Sequence, residues 1–173
     1  MLPGRVLVLI FTYAIVQIEC NITDWSKDYP LPYQLNFTDN RHFEIGCMLI
    51  IYVRLIHGST IGLHDENNDV NFFITVRGQN LILNYALHDV WATEIFICDG
   101  EANFTECTNN GDVSEVIIER VEGGYNVIIN GKRRNPNVFP NKVGTEAIFL
   151  LVQSEVGKNF EVTGITALLP DPT

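Results

Sequence analysis

The sequence is short of positive charge. Eleven Lys and Arg stand against 21 Asp and Glu in 173 residues, a formal net charge of −10. Nucleic acid and anionic membrane surfaces are held by clustered cations, so a chain with few, scattered ones matches neither. Lys132-Arg133-Arg134 is a three-residue basic run that reads as a solvated loop or a processing site. No stretch approaches the ~20 apolar residues that a membrane span needs. Helical periodicity is almost absent. Neither Cys-x-x-Cys nor His-x3-His spacing occurs, and Gly-x-Ser-x-Gly, His-Glu-x-x-His and a phosphate loop are missing too. The sequence therefore carries no familiar motif for a metal, a cofactor or a hydrolytic nucleophile. At 46% hydrophobic residues the chain is too apolar for disorder and long enough to close one core.

What is present begins with an export signal. Arg5 supplies a short positive region, and Val6 to Ile18 is almost wholly apolar. That length suits a secretory signal and is too short to span a bilayer. Ile18-Glu19-Cys20 is an acceptable cleavage tripeptide. Residues 1–20 are thus read as a signal peptide and 21–173 as a single secreted domain, against the competing reading of a buried first strand. Three Asn-x-Thr sequons, at Asn21, Asn36 and Asn103, agree with export and predict N-glycosylation.

Cys98 and Cys107 bracket a polar segment, Asp99 to Glu106, and in an oxidising compartment they are expected to staple it. So small a loop limits the gain to ~2–3 kcal/mol. Cys47 lies in an apolar run and reads as a buried free thiol. Were cleavage to spare Cys20, a Cys20–Cys47 bridge would be the alternative.

Beyond residue 40 the chain reads as strand after strand. Phe43 to Leu55 is rich in β-formers. From residue 69 to 77 the pattern alternates, with Val70, Phe72, Ile74 and Val76 on one face and Asn71, Phe73, Thr75 and Arg77 on the other. Gly78-Gln79-Asn80 is a turn. Leu81, Leu83 and Tyr85 then point inward and Ile82 and Asn84 outward. Val113 to Val121 and Tyr125 to Ile129 flank Gly123-Gly124, and Asn130-Gly131 signals a two-residue type I′ hairpin turn. Glu146 to Val152 and Phe160 to Leu169 complete the set. Residues 21–40 are polar and Pro-containing and read as an extended segment that adds an edge strand. Short strands joined by Gly and Asn turns predict an all-β jelly-roll β-sandwich of two antiparallel sheets.

Several segments share the order of one known family. They are Tyr29-Pro-Leu-Pro-Tyr33, Phe43-Glu-Ile-Gly-Cys-Met-Leu-Ile-Ile-Tyr-Val53, Ser59-Thr-Ile-Gly-Leu63 and Asp69-Val-Asn-Phe-Phe-Ile-Thr-Val-Arg77. Asn80-Leu-Ile-Leu-Asn84, Trp91-Ala-Thr-Glu94, Tyr125-Asn-Val-Ile-Ile-Asn-Gly131 and Phe160-Glu-Val-Thr-Gly-Ile-Thr166 follow. In this order they resemble a galectin over about residues 30–170, and the spacing of Arg77, Asn84, Trp91 and Glu94 is the specific part. The resemblance implies a β-galactoside-binding sheet face. Trp91 would stack on the apolar face of a pyranose, Arg77 would fork to a hydroxyl or ring oxygen, Glu94 would accept hydroxyl protons and hold Arg77, and Asn84 would donate and accept. Phe73 and Thr75 share that ligand face.

Departures from the family pattern are equally specific. Phe73 stands at the family's His position, Thr75 at its Asn, Val76 at its Pro, and Phe96 at its second Arg. Signal peptides and structural disulfides are also unusual in galectins. An aromatic Phe73 on an otherwise solvated strand face points to a rebuilt ligand groove or to a protein contact. The leading expectation is a secreted lectin for a glycan or glycoprotein; the alternative is a protein-interaction module that uses the same face. Galectins commonly dimerise, and nothing in this sequence decides whether this chain does. Asp65 to Asn71 carries alternating oxygen ligands but has Val70 and Val76 where a calcium loop needs Gly and Glu, so it reads as an acidic hairpin loop. His64-Asp65 and His88-Asp89 read as exposed turn histidines beside an acid, with no catalytic role.

Overall fold

Alternating burial builds the molecule. The computed structural model describes residues 22–24, 32–37, 42–154 and 161–169. The expected signal peptide (1–20), Cys20 and the sequon residue Asn21 lie outside the described residues. The strands are β1 (Ile22–Asp24), β2 (Tyr33–Asn36), β3 (Met48–Arg54), β4 (Thr60–His64), β5 (Val70–Arg77), β6 (Asn80–Leu87), β7 (Val90–Trp91) and β8 (Ile95–Asp99). A short helix, α1 (Glu101–Cys107), precedes β9 (Val113–Val121), β10 (Gly124–Ile129), β11 (Lys132–Arg133), β12 (Phe139–Pro140), β13 (Phe149–Gln153) and β14 (Val162–Leu168).

These strands form two antiparallel sheets, as the alternation predicts. One runs β1-β14-β3-β9-β10-β11, with β12 also on β10; the other runs β2-β13-β4-β5-β6-β7, with β8 also on β6. The polar 21–40 segment therefore supplies an edge strand to each sheet. Leu49, Ile51 and Val53 of β3 and Val116 and Ile118 of β9 are fully buried, as are Ile61 and Leu63, Phe72 and Val76, and Leu81 and Leu83 from the other sheet. Each such side chain contributes roughly 1.5–3 kcal/mol on leaving water. Asn130 and Gly131 both adopt positive φ, the geometry of a type I′ turn between β10 and β11.

The structure corrects strict alternation on β5. Phe73 pairs with Gly62 and Asn84, and Phe72 with Leu63, but Val70 pairs with His64 and Ala86, so the register shifts by one residue on both flanks. This bulge at Asn71 turns Val70 onto the outer face with His64, instead of inward beside Phe72. The expectation of exposed turn histidines also fails at His64. Its ring is buried on the outer face, stacked on Phe149 at 4.9 Å and 6°. Burial lowers its pKa, with Asn68 and Asp65 opposing the shift. Nor is the strand face around Phe73 solvated: Thr75, Ile82 and Asn84 are all buried.

The segment read as a polar loop between the cysteines holds α1. Its Phe104 packs on the core, and Cys107 reaches Cys98 in a disulfide with a Cα separation of 6.4 Å. Lys132 and Arg134 both bond Glu106 on the helix, at 2.9 and 3.2 Å, and hold its carboxyl below the usual range. The basic run is thus a clasp on α1. Cys47 carries a free thiol, buried as expected, and burial pushes it up to about 11. On β9 an inward position holds Arg120, which lies over the Tyr125 ring and makes a bidentate pair with Glu146 at 2.7 and 3.0 Å.

Candidate functional site

The outer face of the β2–β8 sheet carries the residues singled out above. Phe73, Thr75 and Arg77 alternate along β5, and each meets β6 in register: Phe73 opposite Asn84, Thr75 opposite Ile82, and Arg77 opposite Asn80. On the next edge Ala86 pairs with Trp91 and Ile82 with Phe96. The two-residue Gly78-Gln79 turn fixes the end that bears Arg77. Gly78 has φ 61 there, and its N–H donates to His57 Nδ1 at 2.9 Å. The other end is fixed by Asp69. Its carboxylate accepts the His88 N–H at 2.6 Å and lies 3.4 Å from His88 Nδ1. His88 and Asp89 both have positive φ, so this carboxylate holds the tight hairpin that presents Trp91.

Arg77 and Glu94, seventeen residues apart in the chain, form a direct ion pair. Arg77 is 57% exposed, and the Trp91 residue 50%. The Trp91 ring rests on Phe73, with centroids 5.0 Å apart and a tilt of 56°. From Phe73 to Arg77 is four residues, about 13 Å along a strand. The result is a shallow trough, with a stacking ring at one end, a guanidinium–carboxylate pair at the other, and Thr75, Ile82 and Asn84 as its floor.

Asn84 does not stand free in this trough. It is buried, and its Oδ1 accepts the N–H of Tyr85 at 2.8 Å. That N–H lies where the chain begins to arch away between β7 and β8; the Tyr85 carbonyl still accepts the Ala92 N–H at 3.0 Å. Arg77, Trp91 and Glu94 thus offer exposed groups, Phe73 supports the ring, and Asn84 and Thr75 lie beneath. Phe96 is exposed at the rim, whereas Val90 and Ile95, also exposed, pair with Leu87 and Leu83 and lie on the other side of the sheet.

Other constellations are committed to structure. Asp65 Oδ1 accepts the N–H groups of Asn67 and Asp69, both at 2.9 Å, and its Oδ2 accepts the Thr145 hydroxyl, so the acidic loop is a self-bonded hairpin. A cavity of about 100 Å³ opens between Leu83, Ile95 and the 135–139 loop, on the side of β6 away from Arg77. Asn135 closes that loop with bonds to Val127 N, Tyr125 O and Asn137 O. Of the sequons, Asn36 is exposed on β2, and Asn103 is exposed on α1 with its Nδ2 bonded to Asp99 O at 3.0 Å. Among the described residues no helix is long and apolar enough to cross a membrane.

No protein-family sequence model and no curated protein sequence matches the chain. Solved structures do. Sheep galectin-11, in complex with glycerol, superposes with a TM-score of 0.63 at 16% identity, over 82% of this chain and 100% of that one. A double variant of human galectin-16 gives 0.61 at 16% identity over 80% and 96% of the two chains. The Caenorhabditis elegans galectin LEC-6 gives 0.62 at 12% identity over 84% and 94%. Identity this low carries over no residue roles, but the shared architecture spans nearly the whole of each galectin: this chain has the galectin fold.

Proposed function

We propose that the chain is an exported, N-glycosylated lectin that binds a β-galactoside or a related glycan and does not catalyse. The observation that carries this reading is the exposed Trp91 ring, braced on Phe73 and facing the same trough as the Arg77–Glu94 pair. A pyranose offers one apolar CH face and a rim of hydroxyls. Trp91 covers the first, and a guanidinium held by its carboxylate reads the second with fixed donors and acceptors. Phe73, Thr75 and Phe96 replace polar groups of the family pattern, and each lost bond costs about 1–3 kcal/mol. The expected affinity for a simple galactoside is correspondingly weak, and selectivity shifts toward glycans with more apolar surface.

The exposed Phe96, on the face that bears Phe73 and Trp91, favours a second reading, a protein partner docked on the same sheet face. A glycan array run with the secreted chain and with Trp91→Ala separates the two. Binding that falls by about tenfold or more in the variant supports the lectin. A blank array on folded protein transfers the site to the protein-partner reading. Binding indifferent to Trp91 removes the assignment of the trough.

A further inference from the structure

The sheet face that bears Trp91 also bears a sequon. Tyr33 and Leu35 of β2 pack on the core, so Gln34 and Asn36 point to the outer face. The ladder then runs without interruption across the sheet. Asn36 pairs with Phe149, Phe149 with His64, His64 with Val70, Val70 with Ala86, and Ala86 with Trp91. The bulge at Asn71 puts Val70 into this row and so brings Trp91 into line with Asn36. Five strand spacings separate the two, about 24 Å, a span that a branched N-linked oligosaccharide covers.

The row between them, Phe149, His64, Val70 and Ala86, holds no Asp, Glu, Lys or Arg. Phe149 and His64 stack at 4.9 Å, and Phe73 and Trp91 meet at 5.0 Å. The two ring pairs close on each other over Gly62, where a Cβ would stand 2.7 Å from His64 Nε2 and 3.3 Å from Phe73. His64 is buried beneath this surface, so the part-exposed rings of Phe149 and Phe73 are the ones that can meet the CH faces of sugars. Asn103, by contrast, sits on α1 beyond the sheet edge, with its Nδ2 already bonded to Asp99.

We propose that the N-glycan on Asn36 is a resident ligand of its own chain, lying across the part-exposed Phe149 and Phe73 rings with its outer sugars in the Trp91 trough. Attachment replaces one Nδ2 hydrogen of Asn36 by C1 of the oligosaccharide, and the lipid pyrophosphate of the glycosyl donor leaves with the proton. The tethered sugar then competes with external glycans at the high effective concentration of a short linkage. This proposal rests on the lectin reading above and adds an autoinhibitory ligand to it.

The test uses the full chain secreted from glycosylating cells, with Asn36 occupancy read by mass spectrometry. Binding to a galactose-terminated glycan is compared for the wild type, Asn36→Gln, Thr38→Ala and the wild type after enzymatic removal of N-glycans. Thr38→Ala removes the sequon and leaves the strand residue in place. The expected result is an occupied Asn36, with apparent affinity about tenfold higher in all three forms that lack the Asn36 glycan and lost again when Trp91→Ala is added. An unoccupied Asn36, or equal affinity in all forms, overturns the proposal and leaves the lectin intact. A doubled mass that disappears with Asn36→Gln overturns it as well, because the glycan then reaches a second copy. Failure of the deglycosylated chain to bind any glycan overturns the lectin reading itself.

Discussion

Two of the Arg–Glu pairs in this molecule share their chemistry and differ in the setting of the arginine. Arg120 reaches Glu146 from an inward position, with its side chain only 7% exposed; Arg77 meets Glu94 on the open sheet face at 57%, while the two carboxylates are alike at 29% and 31%. The buried guanidinium is fully engaged. It takes both Glu146 oxygens, donates to Val121 O and Gly124 O, and lies 5.2 Å over the Tyr125 ring. Gly124 is part of that arrangement, since a Cβ there would stand 1.8 Å from Phe139 O. Among the described residues the exposed guanidinium pairs with Glu94, and more than half of its side chain faces solvent. Such a pair adds little to stability because solvent screens it, so its donors remain free for a ligand. One pair holds the fold and the other is positioned to use it.

The largest effect that would break this comparison is at Arg120. Arg120→Ala leaves the part-buried Glu146 carboxylate without its bidentate partner and opens a hole over the Tyr125 ring, a loss of about 3 kcal/mol. Chemical denaturation should show it as a large drop in midpoint; a change below about 1 kcal/mol would mean that the inner pair is as screened as the outer one.

Cys47 reports on the same buried end. Its thiol is raised to about 11 by burial, while Arg120 acts against the shift. A cysteine thiol in water titrates near 9.0. A raised folded pKa means that the unfolded chain ionises first. Stability from this group is therefore complete below pH 9 and is lost as pH rises from about 9 to 11, by up to about 2.5 kcal/mol. Denaturation midpoints of the wild type and Cys47→Ala across pH 8–11 should converge with rising pH. Parallel curves would show that the thiol is not held in a dry site.

How far the sequence disclosed these features depends on the range of the interaction. Alternation on β3, β5, β6, β9 and β10 is local, and the turns at Gly78 and Asn130-Gly131 declare themselves by residue type. The sandwich follows from those signals. The bulge at Asn71 does not, because a period of two has no mark for one extra residue. Seven residues are too few for α1 to show a period. His64 ends a legible strand, but its burial comes from Phe149, far along the chain and invisible to spacing. Arg120 falls in the inward phase with Val116 and Ile118, a visible anomaly, whereas its partner Glu146 carries no signal. At the site, the types and spacing of Arg77, Trp91 and Glu94 were legible. That Asn84 spends its acceptor on Tyr85 N–H emerges only from the arch between β7 and β8.

The smallest expected stability effect lies at the outer pair, and it is the sharpest form of the comparison. Arg77→Ala removes an exposed charge whose partner Glu94 is itself part-exposed, so the fold should lose less than about 1 kcal/mol. Glycan binding should nevertheless fall by about tenfold or more, since a charged donor to a ligand hydroxyl is worth about 1.5–3 kcal/mol. Arg77→Lys keeps the charge and loses the planar fork, so its affinity should lie near that of Arg77→Ala if recognition is bidentate. Recovery of wild-type affinity in Arg77→Lys would show that a point charge suffices at that end. In that case specificity would rest on the Trp91 and Phe73 rings, which define the trough by shape.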